Sequence, residues 1–135
     1  MKINFTSIMV DDQNKALKFY TEVLGFVGMA DIPMGEYRWL TVISPQGHAD
    51  IELVLEPMAF PPARIYQKAL FDAGIPLTSF ITMDIKEEYR RLISLGVKFR
   101  GEPENIGMIT TALFEDTCGN LINLVQPNER SGADR

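Results

Sequence analysis

The chain has 135 residues, 46% of them hydrophobic and 23% charged, the balance of a single folded domain and not of a disordered segment. Thirteen Lys and Arg against eighteen Asp and Glu leave a net charge of −5, which argues against nucleic acid or an anionic membrane as the main partner and favours neutral or cationic ligands. One cysteine, Cys118, and one histidine, His48, exclude an internal disulfide, a CxxC redox pair, a multi-thiolate zinc site and every His-pair metal motif within one chain. The opening MKINFTSIMVDD reaches acidic residues too soon for a signal peptide, and no apolar run approaches a membrane span, so a cytoplasmic location and no membrane partner are expected.

In chain order, the alternation over 5–10 predicts a strand with two different faces. Asp11 or Asp12 then offers a carboxylate to orphan helix amides, and Ala16, Leu17, Tyr20, Val23 and Leu24 form one apolar helical stripe stopped by Gly25. Three strands follow, near 26–32, 37–44 and 50–55, punctuated by Gly35, Pro45 and Gly47. The connection carries Pro57, Pro61, Pro62 and Pro76 and predicts a short helix over 63–73, ended by Gly74. A second opening strand leads to Asp84, three residues before Glu87 in capping-box spacing, then to the stripe Tyr89, Leu92, Ile93 and the stop Gly96. Strands are predicted again near 98–102, 110–115 and 121–125. The tail 128–135 is polar, without periodicity, and expected to be loose.

The chain repeats itself. TSIMVDDQNKALKFYTEVLGF at 6–26 matches TSFITMDIKEEYRRLISLGVKF at 78–99, and IELV at 51–54 matches INLV at 122–125, with an offset of 71 or 72 residues throughout. The unit is strand–helix–three strands, written twice. The expected organisation is one domain over 1–127, with module one at about 3–57, a connection at 58–75 and module two at about 76–127.

This duplicated unit resembles the vicinal oxygen chelate superfamily, which includes glyoxalase I, extradiol dioxygenases, fosfomycin-resistance enzymes and bleomycin-resistance proteins. VDDQNKALKFYTEVLGF at 10–26 is similar to the family's opening signature, and FEDTCGNLINLVQP at 114–127 to its closing one. The resemblance implies an α+β fold: two βαβββ modules in tandem forming a curved, mixed eight-stranded sheet with a concave ligand trough. It also implies a homodimer. Metal-dependent members bind a divalent ion with one residue from each of four strands, and the positions carried over by strand and register are Phe5, Glu52, Thr78 and Asn123. The family pattern wants His or Gln, Glu, His and Glu, and only Glu52 fits. A phenyl ring has no lone pair to give, and an amide oxygen suits at best a hard, weakly held cation. No cofactor is therefore expected, and a divalent metal is disfavoured. His48 does not rescue the site: on one extended strand it would lie roughly 13 Å from Glu52, too far for shared chelation, and a loop histidine is the simpler reading.

The same alternation sorts the faces. With Phe5 turned to the trough, so are Ser7 and Met9, then Glu52, Val54, Thr78, Phe80, Thr82, Asn123 and Val125. Ile51, Leu53, Ile81, Met83, Ile122 and Leu124 are expected beneath. Tyr37, Trp39 and Met108 are candidate wall residues. An apolar, aromatic floor with few polar groups is the make-up of a small-molecule pocket. The candidate ligand-binding set is Phe5, Ser7, Met9, Trp39, Val54, Thr78, Phe80 and Asn123. Glu52 is the candidate catalytic residue, whose pKa should rise by desolvation, suiting proton abstraction beside a carbonyl or contact with a cation; the alternative is a strand carboxylate hydrogen-bonded to its neighbours. Cys118, with no adjacent base, reads as a structural thiol, Phe19 and Tyr20 as core, and EEYRR at 87–91 as a solvated helix face.

Three functions remain open at this level. The first is a metal-independent protein that binds, sequesters or transforms an apolar or cationic metabolite or antibiotic. The second is a metal-dependent lyase, isomerase or dioxygenase of the glyoxalase type. The third is a non-catalytic dimeric interaction module.

Overall fold

A computed structural model of the chain describes residues 1–129. Strand β1 (Phe5–Val10) enters helix α1 (Gln13–Lys18) through Asp12, whose carboxylate accepts from the Lys15 amide. The helix widens into a π-helical turn, Phe19–Val23, and Gly25 ends it at φ +85°. Strands β2 (Val27–Met34), β3 (Tyr37–Ile43) and β4 (Glu52–Pro57) complete module one. Helix α2 (Pro61–Asp72) connects to β5 (Thr78–Ile81), α3 (Ile85–Ser94), β6 (Glu104–Asn105), β7 (Ile109–Glu115) and β8 (Leu121–Pro127).

Among the described residues the eight strands divide four and four, in the orders β1-β4-β3-β2 and β5-β8-β7-β6. In each sheet the opening strand pairs parallel with the closing one, and every other pairing is antiparallel. The repeat in the sequence is therefore a repeat in topology. Among the described residues, no helix is long and apolar enough to cross a membrane.

One hydrophobic cluster serves both modules. Ile8, Val10, Leu40, Val42 and Leu55 come from the first, and Ile85, Leu92, Phe114, Ile122 and Leu124 from the second. Aromatic rings bridge them: Phe26 meets Phe80 edge-on at 5.3 Å, and fully buried Tyr20 meets Phe80 at 6.5 Å. Phe19 and Tyr20 are core residues, as their place in the helix predicts.

A buried polar knot ties the same halves together. Gln67 of α2 donates to the carbonyl of Met9 at 2.8 Å, and to Cys118 O and Asn120 Oδ1. Asn120 donates to Met9 O and Asp116, both at 2.8 Å. The Tyr20 hydroxyl donates to Asp116 at 2.6 Å, and the amides of Cys118 and Asn120 complete the shell of that carboxylate. Burial pushes both the Asp116 carboxyl and the Tyr20 phenol above their ordinary values. The turn 116–120 thus joins β7 and β8 of module two to the end of β1 and to α2.

The structure corrects four expectations. The stretch 98–102 is not a strand: it holds one isolated bridge, Phe99 to Phe114, and the ladder resumes only at Glu104–Asn105, after Pro103, which has no amide to donate. At the α3 cap, Asp84 accepts from the Glu87 amide, but Glu87 turns to Arg90 and the Asp84 amide goes to Thr82, so the capping box is not reciprocal. At the start of the tail, Asn128 is fixed by its amide to Met108 O and by its side chain to Thr110, Asn105 and Gly107; positions 130–135 lie outside the described residues.

The fourth correction concerns faces. β5 pairs Thr78 with Ile122 and Phe80 with Leu124, so Thr78 and Phe80 turn inward to the helix-covered layer. Ile81 and Met83, expected beneath, are 68% and 82% exposed. The Phe80 ring decides this register, because it packs on Tyr20 and Phe26, and a one-residue shift moves every side chain to the other face.

Candidate functional site

The concave face of module one is built from alternate residues of four strands. Phe5, Ser7 and Met9 lie on β1, opposite Glu52, Val54 and Glu56 on β4. Thr41 of β3 lies opposite Val54, and Ala30 and Ile32 of β2 lie opposite Thr41 and Trp39. Phe5, 51% exposed, meets Trp39 edge-to-face at 5.5 Å. Trp39 is half-buried, so the pair presents the exposed Phe5 ring and part of the indole as preformed apolar area for a ligand.

Two carboxylates stand on the same face. Thr41, fully buried between strands, donates its hydroxyl to Glu52 Oε1 at 2.6 Å and accepts the Ala30 amide. Ser7 donates to Glu56 at 3.3 Å. Val54 is 3% exposed and forms floor under its neighbours, with little surface to offer. Met9 is half-buried beside Glu56, and Tyr37 is exposed near the β2–β3 turn. His48 sits exposed in the loop between β3 and β4, outside the ladder that carries Glu52.

The corresponding face of module two carries Ser79 and Ile81 on β5, Asn123 and Val125 on β8, and Thr111 and Leu113 on β7. Asn123 holds the predicted place. Thr78 and Phe80 do not belong to it, and Ser79, directly opposite Asn123, takes the place assigned to Thr78. The sequence held the signal for this: the repeat aligns Thr6-Ser7 with Thr78-Ser79, and Thr6 lies on the same strand face as buried Ile8, opposite to that of Ser7. Glu56 and Thr41 were missed as well, although each lies an even number of residues from a site residue on its own strand, Glu52 and Trp39.

The chain can be placed on this geometry together with a family model, described as glyoxalase/bleomycin resistance protein/dioxygenase superfamily, that matches residues 2–124. The chain belongs to that superfamily. Among relatives of this glyoxalase superfamily member is a Bacillus subtilis (strain 168) protein named uncharacterized protein YurT, 52% identical over 126 residues, covering 93% of this chain and 99% of that one. Among solved structures, UcmS2 aligns with a TM-score of 0.79 at 32% identity, over 93% of this chain and 97% of that one. TnmS3, titled an antibiotic binding protein from Streptomyces sp. CB03234, aligns at 0.75 with 34% identity, over 95% and 97%.

The family's metal does not fit the donors present. By strand and register, this glyoxalase superfamily member offers Phe5, Glu52, Ser79 and Asn123: a phenyl ring, one carboxylate, one hydroxyl and one amide oxygen. No divalent ion of glyoxalase or dioxygenase type is held by one carboxylate and two weak neutral oxygens. The Cys118 thiol offers no alternative chemistry. It is buried, and burial with Asp116 nearby pushes it up to about 12, so no thiolate forms near neutral pH.

Proposed function

We propose that this protein binds and sequesters an apolar, aromatic small molecule of neutral or cationic charge on its concave face, without the family's metal. The observation that carries this is the contact of exposed Phe5 with half-buried Trp39 beside the two carboxylates Glu52 and Glu56, at a position where metal-dependent relatives place a ligand residue. The aromatic pair supplies stacking area, and the carboxylates favour a cation over an anion. The similarity to TnmS3, titled an antibiotic binding protein, supports an antibiotic as the kind of molecule held. The rival reading, a metal-dependent lyase or dioxygenase, needs donors that Phe5 and Ser79 do not supply.

The sequestering unit is a homodimer in this proposal. β2 is an edge strand, and it exposes Val27, Met29, Ile32 and Met34. An apolar edge left open is an aggregation hazard that a second copy would remove. Light scattering of purified protein should give twice the chain mass, and Ile32→Lys should give the chain mass.

The test of binding uses Trp39, the chain's one tryptophan. A panel of cationic, neutral and anionic aromatic antibiotics is titrated while Trp39 emission is followed, with and without added zinc, nickel or manganese. Quenching by neutral or cationic members that is indifferent to metal supports the proposal. Quenching that requires a stoichiometric ion, or none at any concentration short of insolubility, overturns it.

A further inference from the structure

A second cavity lies away from the concave face of module one. It has a volume of about 430 Å³ and opens where residues 24–26, just after the π-helical turn, and the loop 44–46 of module one meet the start of α3 in module two. None of Phe5, Ser7, Trp39, Glu52 or Asn123 lines it. Its size is within the range of pockets that enclose drug-sized molecules.

The lining combines an aromatic floor with an acidic rim. Phe26, Phe80 and Phe114 form the floor, and Asp84, Glu87 and Glu88 stand around the mouth on the first turns of α3. Among the described residues one cation, Arg91, lines the cavity, and it is already engaged. Its Nε and Nη2 clamp Glu88 at 3.1 and 2.7 Å, and its Nη1 donates to Val23 O at 2.9 Å. Glu87 pairs with Arg90 outside the lining. Asp84 caps the helix through the Glu87 amide, and no ion pair found among the described residues includes it. The positive end of the α3 dipole is about half a charge, less than the acids gathered around it.

Aromatic faces beneath a carboxylate with no ion-pair partner among the described residues, here Asp84, bind a flat cation by ring contact and by Coulomb attraction together. We propose that this inter-module cavity is a second small-molecule site, selective for aromatic monocations. It is independent of the concave-face site, and its occupant would touch both modules at once. Phe26 belongs to module one and Phe80 to module two, so a bound cation would also hold the halves together.

The test is calorimetry of the full chain with the acridine cation proflavine and, separately, with the anion anilinonaphthalene sulfonate. Three variants separate the sites. Trp39→Ala removes the concave-face aromatic. Asp84→Asn removes charge while keeping a residue equally good at capping helices. Met83→Trp fills the cavity mouth from a position that is 82% exposed, so folding is not at risk. Proflavine should bind Trp39→Ala, bind Asp84→Asn about three- to tenfold more weakly, and lose this site in Met83→Trp. Sulfonate should not compete. Loss of all proflavine binding in Trp39→Ala overturns the second site while leaving the concave-face reading standing. Equal binding to wild type, Asp84→Asn and Met83→Trp, or equal affinity for the sulfonate, overturns it as well. Failure of the concave-face reading shows instead as antibiotic binding that ignores Trp39→Ala.

Discussion

Thr41 holds Glu52 by a 2.6 Å hydrogen bond from within the sheet, and the pair stands beside Phe5 on the concave face. The bond fixes one carboxylate oxygen and leaves the other to a ligand. Glu52→Gln keeps an acceptor for Thr41 and deletes the charge. Cationic aromatic ligands should then bind about three- to tenfold more weakly, while neutral analogues should change by less than about twofold. Thr41→Val has the opposite profile: it removes the donor, costs about 1 kcal/mol of stability and leaves charge selectivity in place. Trp39 quenching and urea unfolding measured on both variants decide between these effects. If Glu52→Gln weakens neutral and cationic ligands alike, the carboxylate acts through structure and not through charge.

Gly119 has no room for a side chain. A Cβ there would meet Gln67 Oε1 at 2.6 Å, at φ +98°, and Gln67 cannot retreat because it holds Met9, Cys118 and Asn120. Gly119→Ala should therefore destabilise by about 2 kcal/mol, and Gln67→Ala by a similar amount through orphaned carbonyls. The two share one cause, so the double variant should lose clearly less than the sum. Additive losses in chemical unfolding would mean that the contact between them is not what matters.

Much of this architecture is legible in the sequence because it rests on local chemistry. Asp12 and Asp84 cap their helices, Gly25 and Gly96 stop them at positive φ, and the repeat gives the topology of both sheets at once. What fails is decided by contacts between modules. The face of β5 depends on Phe80 reaching Phe26 of the other half, and no alternation within TSFI reveals that partner. The faces follow the same division: alternation within module one puts Phe5, Trp39 and Glu52 on one face, whereas Thr78 and Phe80 lie on the strand whose face alternation alone does not fix. The acidic rim of the inter-module cavity was legible only as charge, since EEYRR reads as a solvated face until Phe26 and Phe114 are seen beneath it.

Cys118 lies fully buried within the same knot, its thiol pushed up to about 12 chiefly by burial. A thiol with so little thiolate should be inert towards a disulfide reagent in the native protein at neutral pH. One equivalent should react promptly once guanidinium unfolds the chain. Prompt native labelling would show that the 116–120 turn opens far more often than its hydrogen bonds imply.

Asp116 makes stability depend on pH in a direction opposite to most structural carboxylates. Burial, the largest influence, holds its proton more tightly in the folded chain than in the unfolded one, although four donors around it work the other way. In the window just above the ordinary carboxylate value, the folded state therefore binds more protons than the unfolded state. Stability must fall as pH rises through that window, and the cost of the ionised, buried carboxylate is fully present above it. Asp116→Asn removes the titration. It also places an amide where Asn120 Nδ2 needs an acceptor, so it should be less stable than wild type by about 2 kcal/mol or more. The gap between wild type and variant should narrow as pH rises from about 4 towards 6, because only wild type loses this contribution. Thermal melts of both proteins across that range measure it. A gap that widens with pH would mean that the hydrogen bonds from Tyr20 and Asn120 outweigh desolvation and hold Asp116 below its ordinary value.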